Sequence, residues 1–188
     1  MTTTPSNENT LIRHQSVFGR LVYRLSVPGA FLSALWVSFG RILFGAQGEL
    51  TWIFAISITP SLLVILLCGC YWGYRDACRY SNGRSLPVSL AYMHCLTWFW
   101  AFTFGVLCPD RRDGKTISAL SQIFGEHYVG LAAGFGNTAG ILTFVSAFAV
   151  FFLALNYCRR SAKLSAGITE EDEERMARES SDYEFLES

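Results

Sequence analysis

The residues able to do chemistry are few and scattered. His14, His94 and His127 lie far apart, and the six cysteines at 68, 70, 78, 95, 108 and 158 match no zinc or thioredoxin spacing. No G-x-S-x-G, H-E-x-x-H or phosphate-loop motif occurs, and no apolar run carries paired carboxylates. The reading is therefore of no catalytic residues, no metal site and no cofactor. What remains are polar groups inside apolar stretches, where they are costly and often functional. His94 and Asn137 are the notable ones. A solute path would draw on them together with Thr97, Thr138 and Ser146. The plainer expectation is that His94 hydrogen-bonds across helices, to Asn137 or a threonine. Apolar runs without Asp or Glu argue against an ion-coupled transporter.

Glycines form a second pattern. Gly130 and Gly134, then Gly136 and Gly140, are two G-x-x-x-G pairs, the spacing that lets membrane helices approach closely. They suit a packing seam, within one chain, to a second copy or to another membrane protein. Cys158 and Cys78 sit at the edges of apolar runs, the usual setting of S-palmitoylation. Tyr183 and Leu186 form a Tyr-x-x-apolar tetrapeptide in an acidic tail, of the kind a cytoplasmic adaptor reads. Basic residues flank the apolar runs instead of clustering, so no nucleic-acid surface is expected.

The elements positioning these residues are membrane spans. The chain has 188 residues, 51% hydrophobic, with 15 Phe, 8 Tyr and 5 Trp. Residues 129–157 contain no charge and end at Cys158-Arg159-Arg160. As one helix they would extend ~44 Å, beyond a hydrocarbon core of ~30 Å. That helix must tilt, project, or break near Gly134-Phe135-Gly136. Residues 50–73 and 86–107 are further spans, the first with Pro60 inside. Residues 27–44 are shorter and carry Arg41, expected to snorkel to the interface; this segment could instead be re-entrant. Residues 17–25 place Phe18, Leu21, Val22 and Leu25 on one helical face. They form an interfacial approach helix or the wet end of the next span. A second interfacial helix is expected at 117–124.

The expected fold class is all-α: a polytopic integral membrane protein with four transmembrane helices and short loops. A disordered leader covers 1–16, the transmembrane domain 17–160, and an acidic tail, disordered at its end but with helix composition at 169–178, covers 161–188. With four spans, eleven Lys and Arg residues fall on the side of both termini and four on the other. By the positive-inside rule both termini are then cytoplasmic. The functional expectation is a non-enzymatic multi-pass protein with a structural, assembly or trafficking role. Its partners would be the bilayer and a membrane protein or second copy. The alternatives are a small channel or carrier, or an accessory subunit of a larger complex.

Overall fold

The computed structural model describes residues 11–81, 84–112, 114–168, and the isolated positions 172 and 175. The protein is an all-α bundle whose four helical segments are each long and apolar enough to cross a membrane. Helix α1 (Val17–Phe39) starts at Ser16, whose hydroxyl accepts from the Gly19 N–H at 2.8 Å. It runs unbroken through Pro28, so residues 17–25 are its first turns and not a separate interfacial helix. A 3₁₀ turn (Gly40–Phe44) closes it, and Gly45 reverses the chain at φ 66°.

The second span has a joint. Helices α2 (Glu49–Ile56) and α3 (Ile58–Ala77) meet at Ser57. Pro60 explains the position, because a proline ring clashes with the carbonyl four residues back, here Ile56. Helix α4 (Val88–Leu107) is the third span. A short antiparallel hairpin follows, β1 (Asp110–Arg112) with β2 (Lys115–Ile117), turning at Gly114 with φ 76°. Helix α5 (Ala119–Phe124) then forms behind Ser118, which exchanges hydrogen bonds with Ser121. Helix α6 (Val129–Ser165) is one piece, without a break at 134–136.

Each of α1 and α6 packs against both α3 and α4. The bundle is therefore square in section, with the consecutive spans α3 and α4 across a diagonal. Alanines fill much of the interior: Ala30, Ala34, Ala101, Ala139, Ala147 and Ala154 are all buried. Small side chains allow the close backbone approach on which helix association in lipid depends. Leu62, Leu66 and Leu90 are buried among them, while many other large side chains point outward, with Leu32 69% and Val64 61% exposed. Lipid tails are as apolar as these side chains, so this exposure carries no penalty in a bilayer.

The length of α6 is resolved by its register against α4. Tyr157 hydrogen-bonds Ser89 at 2.7 Å near one end, and a Cβ on Gly136 would lie 3.1 Å from the Leu107 carbonyl at the other. Residues 136–157 match the height of α4, ~33 Å at 1.5 Å per residue. Residues 129–135 project beyond it. The surplus is not taken up by a break: α6 runs on past the end of α4.

Candidate functional site

The charged groups withdrawn from solvent lie at the two ends of the bundle. At the end opposite the termini, Arg41 and Asp110 are both fully buried and pair at 3.3 Å. Asp110 follows α4 by three residues and lies beneath the N-terminus of α2. Its Oδ2 accepts from the Gly48 N–H (2.9 Å), the Thr51 N–H (3.1 Å) and the Thr51 hydroxyl (2.7 Å). Its Oδ1 accepts from the N–H groups of Leu50 (2.9 Å) and Arg111 (2.7 Å). A carboxylate from a distant segment thus caps α2, where helix N–H groups lack partners and the dipole favours negative charge. Burial pushes the Asp110 carboxyl up. The Thr51 hydroxyl, the Leu50 and Arg111 N–H groups and the Arg41 charge outweigh that, leaving it below the ordinary carboxylate value.

Arg41 was expected to snorkel outward, but its guanidinium turns inward. It lies 4.9 Å from the Phe54 ring centre and makes a long 3.4 Å contact with the Val37 carbonyl. Pairing with Asp110 makes the inward course affordable. Cys108 lies beside this pair, and burial pushes its thiol up against the opposing pull of Arg41. Sequence reading missed the pair because its members are 69 residues apart. The available signal was an arginine in a span alongside an aspartate one turn past another span.

At the terminal end, Arg13 pairs with the fully buried Asp76 at 2.7 Å and lies 3.9 Å over the Tyr80 ring. Leu11 bridges to Tyr80 and accepts from the Ser81 N–H at 3.1 Å. Residues 11–16 are thus bound to the loop after α3, unlike the disordered leader expected across 1–16. Arg79 clamps the same loop to α6, donating to the Cys158 carbonyl (2.8 Å), its sulfur (2.9 Å) and the Ser161 hydroxyl (3.3 Å).

The residues singled out from sequence are placed apart. His94 is 1% exposed beside Trp98, and neither ring nitrogen has a partner; the expected bond to Asn137 or a threonine does not form. Thr97 and Ser146 hydrogen-bond within their own helices, to Met93 and Thr143. Asn137 is exposed at the other end, in an apolar depression with Phe104 and Cys108. His94 and Phe104 are ten residues apart on α4, ~15 Å of rise, so His94 and Asn137 line no common path. Gly136 and Gly140 pack on α4, Gly140 with a Cβ position 2.9 Å from Phe104. Gly130 and Gly134 face open space. Cys158 is buried at 2%, whereas Cys78 is exposed. Tyr183 and Leu186 lie outside the described residues, as does most of the acidic tail. Among the described residues no group of three or more His, Cys, Asp or Glu could hold a metal. No family model matches the chain, and it has no match among curated proteins or solved structures.

Proposed function

We propose that this is a non-enzymatic multi-pass membrane protein that acts by contact with another membrane protein, in a structural, assembly or trafficking role. Both termini are cytoplasmic. The observation that carries the reading is the division of the α6 glycines. Gly136 and Gly140 are used up by α4, while Gly130 and Gly134 meet nothing within 4 Å on a segment that runs past the end of α4. A partner can approach that backbone closely without disturbing the fold. The alanine-filled interior and the separation of His94 from Asn137 favour contact over a channel or carrier.

The test is co-purification of the full chain in mild detergent, with Gly130→Leu and Gly134→Leu combined. Loss of the co-purifying protein with unchanged thermal stability supports the reading. Retention of that protein, or its absence from the wild-type chain, overturns it. Orientation is tested separately with a membrane-impermeant thiol reagent on Cys78 and on an engineered Glu126→Cys, both at exposed positions. Labelling of both from the same side overturns the topology.

A further inference from the structure

We infer that the acidic segment 169–188 docks back onto the basic end of the bundle, against the loop after α3 and the end of α6. Charge is the first reason. The leader, the start of α1, residues 74–87 and the end of α6 hold nine Lys and Arg against two acidic residues, Glu8 and Asp76. Asp76 is itself fully buried against Arg13. Residues 169–188 hold the converse, nine acidic residues against two arginines. One of those arginines, Arg175, already pairs with Asp172 at 3.3 Å. The opposite end of the bundle has four basic and four acidic residues and is balanced within itself. The excess of positive charge is thus confined to one end, and the acidic segment leaves from that same end with an equal and opposite excess.

Geometry is the second reason. Arg79 donates to Cys158 and Ser161, which holds the loop after α3 against α6, close to where the acidic segment begins. Ser85 and Leu86 at the other end of that loop pack on Gly19, so the loop lies across the end of the bundle. Arg84 on the loop and Arg159 on α6 are exposed, and neither makes an ion pair among the described residues. Helix α6 does not run straight on into the acidic segment. Gly167 turns the chain at φ 73°, with the Ile168 N–H bonded to the Lys163 carbonyl and the Gly167 N–H to the Leu164 carbonyl, both at 3.1 Å. That pair of bonds is a Schellman cap, which closes the helix and redirects the chain. Twenty residues follow, with a reach of up to ~66 Å against ~10 Å between neighbouring helix axes. Tethering holds their carboxylates near the arginines at an effective concentration on the order of millimolar. Anionic headgroups are the competing occupant, but they have no such tether.

The experiment uses the full chain in a neutral mild detergent and the arginine reagent phenylglyoxal, with modification followed residue by residue by mass spectrometry. Arg84 and Arg159 should react slowly at low salt. Combining Glu170→Gln, Glu171→Gln, Glu173→Gln and Glu174→Gln should speed both by roughly threefold, the scale of exposed ion pairs. Arg111, exposed at the opposite end, should react at the same rate in both chains. Salt at about 0.5 M, where the Debye length falls to about 4 Å, should speed Arg84 and Arg159 in the wild-type chain and leave the variant unchanged. Equal rates in the two chains at low salt overturn the proposal. So does protection that appears only on adding phosphatidylglycerol and is the same in both chains, since headgroups would then be the occupant. The readout needs no partner protein, so this proposal and the contact role of α6 stand or fall separately.

Discussion

At the scale of single residues, Asp110 and Arg41 are unequal partners. Asp110 accepts five hydrogen bonds from donors other than Arg41, whereas Arg41 has besides a long contact to Val37, the Phe54 ring and the neighbouring Cys108 thiol. Removing one member of a buried pair typically costs about 3–5 kcal/mol. Asp110→Ala should reach that range, because it strands both the arginine and the first turn of α2. Arg41→Leu should cost less, since the remaining donors still hold the carboxylate. Thermal melts of the two variants in detergent check the order. The pH dependence follows from the same contacts. Asp110 is depressed in the folded state, so its stabilisation is present above the unfolded carboxylate value and is lost as pH falls through the folded one. Melting temperature should drop in that acid range, and Asp110→Asn should flatten the drop. His94 makes the opposite prediction. Its buried, unpartnered nitrogens cost about 1–3 kcal/mol, so His94→Leu should raise stability in a melt.

At the scale of elements, α6 decides most. Its contacts with α4 place Gly140 beneath Phe104 and Gly136 against the end of α4, while Gly130 and Gly134 stand clear. Four glycines of one sequence pattern therefore have two different structural settings. Gly140→Leu should destabilise by about 1–3 kcal/mol through overpacking. Gly134→Ala should stabilise by up to about 1 kcal/mol, because alanine is the better helix former and nothing opposes its methyl group. Comparing the two melts tests the register of α6 directly. The joint at Ser57 has a complementary role. Pro60 frees α2 from the line of α3, and Asp110 then fixes where its N-terminus lies.

At the scale of the whole molecule, the bundle is clamped at both ends and packed with alanine between. Asp76 with Arg13 holds the leader to α3 at one end, and Asp110 with Arg41 holds the α1 turn, α2 and the hairpin at the other. The clamps should be separable. Arg13→Ala should loosen residues 11–16 and leave the opposite end intact, read by hydrogen exchange as lost protection at the Ser81 N–H but not at the Thr51 N–H. Cysteine chemistry offers a second check on the same architecture. Cys78 should react readily with a thiol reagent in the folded protein, while Cys108, buried and with its thiol pushed up, should react only after unfolding.

The four spans, the all-α class and the excess of positive charge at the terminal end were legible in the sequence. They depend on run length, composition and the location of Lys and Arg, which are local along the chain. Local pattern also contained Pro60, though not that its effect would appear at Ser57. What only tertiary structure decided involves residues far apart in the chain. The inward course of Arg41 depends on a carboxylate 69 residues away. The burial of Cys158 depends on the Arg79 loop, and the division of the glycine seam depends on where α4 ends beside α6. The close approach of α1 to α4 depends on Gly29 standing opposite Trp98. Hydrophobic length fixes that a helix crosses the bilayer; side-chain pairing between helices fixes its height, its neighbours and which polar groups stay unpaired.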